Sequence, residues 1–272
     1  MAHISSKDTV SKIAVIGCGN MGRALIEGFL KSSAQIIACD SDHEKLQDLK
    51  NDFGLETTSD AKEACLNTKT IVIAVKPQII PNLLNTLRGA IDEQSHIISV
   101  AAGVSTETFR NALGQDISIT RVMPNLPALI GEGVSGIYSD SEALSKEAKN
   151  LFSTVGKCFL VSSEQDLNTV TGLSGSGPAF VCYFIEALTK GAVELGLDSE
   201  AALEMAIQTV FGTSKFLDQM NINPATLREM VSSPGGTTVS GLKSLRDANV
   251  GNLISEAVKS ATKRAEELAS PQ

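Results

Sequence analysis

The chain has 272 residues, 42% of them apolar and 4% aromatic, with 23 basic side chains against 31 acidic ones and a net charge of −8. That length points to two domains of unequal size with room for a sizeable core, in an ordinary globular α/β or α+β composition. The acidic balance argues against nucleic acid or an anionic membrane as a partner, since phosphate binding needs a basic surface.

In chain order, residues 1–12 are polar and carry no apolar signal region, and no later run approaches the ~18 apolar residues of a membrane span. Runs at 12–16, 35–39, 70–75, 96–100 and 118–122 are short and β-branched. They alternate with helical patterns, which predicts a parallel sheet with helices on both faces. TIVIAV at 70–75 is apolar on both faces, as a central buried strand requires. Runs at 134–138 and 157–161, flanking a helical stretch at 141–154, extend the sheet. Past Ser163, helical patterns at 179–195, 199–219 and 252–268 take over, with Asp198 or Ser199 and Asn223 as N-caps. The stripe Phe180, Phe184, Ala187, Leu188 and Gly191 has helical spacing and reads as core or dimer contact.

Cys18, Cys39, Cys65, Cys158 and Cys182 are scattered and form no C-x-x-C pair. Neither a disulfide framework nor a metal site is expected, and a cytoplasmic location is. His3, His43 and His96 read as solvated loop residues, poorly placed for a triad or metal cluster.

The sharpest local signal is Gly17-Cys18-Gly19-Asn20-Met21-Gly22, placed between a strand and a helical pattern. Gly17 permits the tight turn, Gly19 admits a pyrophosphate to the backbone, Gly22 allows close helix–sheet packing, and the helix N-terminus supplies amide donors. Asp40 ends the next strand near the ribose-binding position, which leans the choice of cofactor towards NADH, because a carboxylate repels a 2′-phosphate. Lys45 reads as too far along to clamp that phosphate. The expected fold is α/β: a Rossmann-type dinucleotide-binding domain over 1–163, then an all-helical domain over 164–272. Val75, Lys76 and Pro77 end one strand at the ligand-binding edge, and Ala101, Ala102 and Gly103 end the next. Residues 123–127 (MPNLP) end a further strand there. Gly175-Ser176-Gly177-Pro178-Ala179 opens a long helix with proline in its first turn. Ser233-Pro234-Gly235-Gly236-Thr237-Thr238 opens another, where free amides could hold a small carboxylate and a threonine hydroxyl could accept from a protonated ring nitrogen.

These motifs, in order across residues 12–268, resemble those of pyrroline-5-carboxylate reductases, with 175–180 and 233–238 the most specific. The resemblance implies reduction of the C=N bond of 1-pyrroline-5-carboxylate to L-proline, the last step of proline biosynthesis, with NAD(P)H as hydride donor. It implies that Gly17, Gly19, Asn20, Met21, Lys76, Pro77 and Ala101 to Gly103 line the cofactor; Asp40 and Val75 are placed with them by their positions at the strand ends. Gly236, Thr237 and Thr238 would hold the substrate carboxylate, and Thr238 would face the ring nitrogen as the catalytic residue. It further implies that the helical domain is a dimerisation domain, giving homodimers that some relatives assemble into larger rings. Three departures bear on fine specificity: Leu126 in place of threonine, Ala61 in place of an asparagine near the adenosine end, and Asp40 in place of a small hydroxyl residue; Gln219 and Asn221 fall where relatives commonly carry a glutamate near the site, which leaves an acidic helper unassigned. Two rivals stay open. A β-hydroxyacid dehydrogenase would use a helical lysine, Lys190 or Lys215, and a non-catalytic sensor would bind NAD(H) without turnover.

Overall fold

A computed structural model describes residues 12–32 and 34–269. The first part of the chain folds around one eight-stranded sheet of order β3-β2-β1-β4-β5-β6-β7-β8. Its strands are β1 (Lys12–Ile16), β2 (Gln35–Cys39), β3 (Glu56–Thr58), β4 (Thr70–Ile73), β5 (His96–Ser99), β6 (Ser118–Met123), β7 (Gly133–Tyr138) and β8 (Gly156–Leu160). Strands β1 to β6 run parallel, with Val15 beside Val72 and Ala38 beside Val15 in register. Their apolar residues point to both faces, so helices must cover both. On one face α1 (Asn20–Leu30) and α6 (Glu142–Phe152) meet through Phe29 and Phe152, edge to face at 5.5 Å and fully buried. On the other, Ile80, Leu84 and Leu87 of α4 (Ile80–Leu87) and Phe109 of α5 (Thr106–Leu113) pack with Ile71, Ile73 and Ile97. Two further helices, α2 (His43–Phe53) and α3 (Ala61–Cys65), take their N-caps from Asp42 and Asp60, whose carboxylates accept from Glu44 N and Lys62 N.

The sheet differs from the expected parallel one at its end. Strand β7 is antiparallel to β6, because residues 124–132 hold only a 3₁₀ turn at Leu126–Ile130 and no crossover helix; such a connection can only turn the chain back. Helix α6 then returns it, and β8 is parallel to β7. Strand β3 was not expected from the sequence, since its three residues at the sheet edge carry no apolar side chain. His96 is a correction of another kind. It begins β5, is 4% exposed, and its Nε2 lies 2.7 Å from Thr120 Oγ1, so it is a buried strand residue. His43 opens α2 and is exposed, and His3 lies outside the described residues.

After β8 come α7 (Asp166–Val170), a π turn at Thr171–Gly175, and then α8 (Gly177–Glu194), α9 (Ser199–Met220), α10 (Pro224–Met230), α11 (Thr237–Asp247) and α12 (Val250–Ala269). Asp198 caps α9 through Glu200 N and Ala201 N, and Asn223 caps α10 through Ala225 N. The chain packs as two compact units, one reaching to Gly175 and resuming at Ala261, the other Ser176–Ser260. The packing of the first unit thus extends past the change to helical patterns at Ser163, to Gly175. Helix α7 stays with the sheet because Val170 fills the space above Gly136, where a Cβ would stand 2.8 Å from its methyls, and because Asn125 Nδ2 donates to Ser174 O at 3.0 Å.

The second unit has almost no interior of its own. Helices α8, α10 and α11 bury no residue, and α9 buries only Ala202 and Ala206. Tyr183, Phe184, Leu188, Ile207 and Phe211 are all exposed, so the stripe on α8 is not a core within one chain. Among the described residues no helix is long and apolar enough to cross a membrane.

Candidate active site

The parallel strands β1, β2, β4 and β5 end at one edge of the sheet, and β1 and β4 are the neighbours from which the chain order runs in opposite directions. Ligands of open α/β sheets sit in the crevice at such a switch point. The glycine loop fills that position. Gly17 has φ +99°, and a Cβ there would lie 2.7 Å from the carbonyl carbon of Ala74; a Cβ on Gly22 would lie 1.8 Å from Gly17 O. Both glycines are therefore required by the protein's own packing. Gly19 is not, because a Cβ there would meet nothing within 4 Å. It is the N-cap of α1 and carries no capping side chain, so no cap takes up the first-turn amides. An open approach at the middle glycine and closed ones on either side fit a dinucleotide pyrophosphate.

A cleft of about 350 Å³ opens beside this loop and brings together Gly17, Gly19, Asp40, Val75 and Lys76. It also draws in Ala61, which the family resemblance put near the adenosine end, and Ser41, Lys45, Ser59, Ile79 and Leu83, which the sequence reading did not place there. Ser59 follows β3 directly, so missing that strand hid it. Lys45 stands in the first turn of α2, which folds its ammonium back to 3.9 Å from Asp40 Oδ1 and 3.2 Å from Asp42 Oδ2; those carboxylates raise its pKa, Asp42 through its hydrogen bond most of all. The judgement that Lys45 lies too far along is thus overturned by one helical turn.

Asp40 is largely committed to the backbone. Its Oδ2 accepts from Cys18 N at 2.7 Å and its Oδ1 from Asp42 N at 2.9 Å. Cys18 lies beneath the loop and donates its thiol to Cys39 O at 3.5 Å. Burial first, and the Asp40 charge second, push its pKa up to about 12, so it stays a neutral thiol.

The remaining expected cofactor residues lie outside that cleft. Asn20 is exposed at the start of α1, Met21 packs against the core, and Pro77 opens a 3₁₀ turn. Ala101 is buried, Ala102 exposed, and Gly103 turns the chain at φ +73° after β5.

In the second unit, the run 233–238 forms a tight turn into α11. Gly235 has φ +71°, and a Cβ on Gly236 would stand 2.6 Å from Ser233 Oγ. Gly236 N already donates to Ser233 O at 2.9 Å. The amides free at the helix start are consequently those of Thr237, Thr238 and Val239, which shifts the expected donor set by one residue. Thr238 lines a groove of about 690 Å³ with Phe184, Leu188, Phe216, Leu227 and Leu242. The hydroxyls of Thr189 and Thr209 are each taken up by the carbonyl four residues back, whereas Thr238 Oγ1 has no hydrogen bond among the described residues. Neither rival lysine lines this groove: Lys190 pairs with Glu194 at 3.8 Å, and Lys215 lies over the Phe211 ring at 5.5 Å.

The three loop glycines separate packing from binding. Gly22→Ala is expected to cost about 1–3 kcal/mol in urea unfolding through overpacking. Gly19→Ala should leave stability unchanged within about 0.5 kcal/mol, yet weaken NADPH binding about tenfold, as read by titration calorimetry. Unaltered NADPH binding in Gly19→Ala would detach the loop from the cofactor.

Residues 164–268 match the family model described as pyrroline-5-carboxylate reductase dimerisation, and residues 12–103 match one described as NADP oxidoreductase coenzyme F420-dependent. A pyrroline-5-carboxylate reductase from Methanosarcina acetivorans is 38% identical over 264 residues, covering 94% of this chain and 97% of that one. The solved structure of a Coxiella burnetii pyrroline-5-carboxylate reductase superposes with a TM-score of 0.92 at 32% identity, covering 96% of this chain and 100% of that one. A Plasmodium falciparum pyrroline carboxylate reductase, solved with NADP bound, does so with a TM-score of 0.82 at 27% identity, covering 96% and 98%. On full-length likeness of sequence and fold, the chain belongs to the pyrroline-5-carboxylate reductase family.

Proposed function

We propose that this chain reduces 1-pyrroline-5-carboxylate to L-proline, with NAD(P)H bound at the glycine loop and substrate at the start of α11. The observation that carries the substrate reading is the turn 233–238, which leaves first-turn amides and the Thr238 hydroxyl unpartnered at one helix end. The amides of Thr237, Thr238 and Val239 hold the carboxylate, helped by the helix dipole. A C=N bond accepts hydride well only as the iminium ion, so the ring nitrogen must carry a proton, and Thr238 Oγ1 accepts from it. The bound nicotinamide supplies the hydride, and the protein supplies position. The Cys18 thiol, with its pKa near 12, is no proton source at neutral pH, and the substrate arrives protonated or takes its proton from water.

Initial rates of NADH and NADPH oxidation with pyrroline-5-carboxylate, with proline detected directly, test the reaction. Cofactor binding without proline formation would favour the sensor. Losing one hydrogen bond to a charged group costs about 1.5–3 kcal/mol, so Thr238→Ala should lower kcat/KM roughly 10- to 150-fold. An undiminished kcat/KM would remove Thr238 from the mechanism.

Cofactor choice rests on Asp40 and Lys45 together. Asp40 favours a free 2′-hydroxyl, hence the lean to NADH, but its oxygens already serve the backbone and Lys45 stands beside it with a charge of the opposite sign. Both cofactors are accordingly accepted. Removing an ammonium some 4 Å from a phosphate in a half-solvated site is worth about 1 kcal/mol, so Lys45→Ala should shift the ratio of kcat/KM about fivefold towards NADH. A ratio that stays put would leave Lys45 without a part in cofactor choice.

The exposed apolar faces of α8 and α9 are covered by a second copy of the chain, giving a homodimer that larger assemblies can build on. Its scattered free cysteines suit the reducing cytoplasm. Ile207, half-exposed on α9 in the single chain, is buried in that dimer. In sedimentation, Ile207→Glu is expected to lose the dimeric mass of the wild type; a variant that still sediments as wild type would take α9 out of the interface.

A further inference from the structure

Arg121, in the middle of β6 and in register with Ser99 of β5, is 6% exposed, and its Nε has no partner. A guanidinium so deeply buried requires a carboxylate, and Glu164, between β8 and α7, supplies it, with Nη1 donating to Oε1 at 3.1 Å. The same carboxylate reaches a third element. Oε1 accepts from Thr106 N at 2.7 Å and Oε2 from Thr106 Oγ1 at 3.0 Å, across 58 residues of sequence. Thr106 is the first residue of α5, and α5 already has an N-cap in Ser105, whose Oγ accepts from Thr108 N at 3.2 Å. Glu164 therefore does more than cap a helix. It fastens the far end of the turn that leaves β5, while the near end is held by Val100 N on Ile73 O at 3.0 Å and Ala101 N on Ser99 Oγ at 3.3 Å.

From this geometry we infer that Glu164, held in place by Arg121, is a positioning residue that fixes the Ala101–Gly103 turn for the cofactor. The inference rests on the reading that this turn lines the nicotinamide nucleotide. A buried ion pair contributes little net stability compared with apolar side chains of the same size, whereas a carboxylate shared among β6, α5 and the segment leading to α7 fixes where their backbones stand. Gly103, at φ +73°, lies between the two fastenings and against the backbone of Leu268 near the end of α12, where a Cβ would stand 3.2 Å from Leu268 O. With Glu164 gone the turn loses its fastening through Thr106 to Arg121 and the segment before α7, and the cofactor has to order that side of it on binding.

The full-length protein is titrated with NADH and with NADPH, reading the nicotinamide's own fluorescence, which no tryptophan obscures because the chain has none. Melting temperature is recorded alongside. Glu164→Ala is expected to raise Kd about fivefold or more, and Glu164→Gln, which can keep a hydrogen bond to Thr106 N, to recover most of that loss. Thr120→Val, at the position before Arg121 on β6, breaks the buried contact to His96 Nε2 without touching Glu164 and serves as a control for general destabilisation. It is expected to lower the melting temperature with Kd kept within about twofold of wild type. A Kd for Glu164→Ala within about twofold of wild type, a control weakened as much, or no recovery in Glu164→Gln would each overturn the inference. If Glu164→Ala does not fold, Glu164→Asp keeps the charge for Arg121 but withdraws the carboxylate from Thr106, and about a threefold rise in Kd is then expected, with an unchanged Kd overturning the inference. Wild-type protein that binds neither cofactor would bring down the cofactor reading itself, a result distinct from a wild type that binds and a Glu164→Ala that binds equally well.

Discussion

Two backbone approaches too close for any side chain organise the first unit: Gly22 against the carbonyl of Gly17, and Gly17 against the backbone of Ala74. They press the start of α1 onto the ends of β1 and β4, at the point where the sheet order reverses. Gly17 N also donates to Cys39 O at 2.7 Å, and Asp40 holds Cys18 N, so the end of β2 is drawn to the same loop. Three strand ends and one helix end are thereby fixed within a few ångströms of each other by contacts internal to the protein. The space at Gly19 is left as a preformed opening, which is how a binding site avoids the entropic cost of ordering itself around its ligand.

The second unit obeys the opposite logic. Its helices carry large apolar residues on faces that nothing in the same unit covers, and two buried alanines cannot serve as a core. Burial of apolar area is the main favourable term in folding, and a unit of this size cannot forgo it. Its stability therefore depends on association, and stability and oligomeric state become one property. The turn 233–238 into α11 lies in that unit as well.

What could be read from the sequence follows from how locally each feature is encoded. Strands β1 and β2 stand where their apolar runs place them, and the glycine loop, the N-caps Asp198 and Asn223, and the turn into α11 have signatures a few residues long. Features that depend on residues distant in sequence escaped. Strand β3 exists because β2 offers an edge, and β7 is antiparallel because its connection lacks a helix. His96 is buried because Thr120 and α6 close over it. The pairing of Arg121 with Glu164 across 43 residues has no local signal at all. At the turn into α11 the motif was legible but its hydrogen bonding was not. Gly236 spends its amide within the turn, and only the fold shows that the donors begin one residue later.

Asp40 illustrates why an acid at the end of a second strand is an incomplete guide to cofactor choice. The sequence argument treats the carboxylate as a free group waiting for a ribose hydroxyl. In the fold each oxygen already accepts a backbone amide, one from the glycine loop and one from the turn into α2. A carboxylate so engaged is pinned in orientation and has fewer lone pairs left for a ligand, and its charge is offset by a lysine 3.9 Å away. Replacing Asp40 would disturb the loop before it altered selectivity. Ser41 and Lys45 line the same cleft from its rim, and neither side chain holds the backbone of the glycine loop.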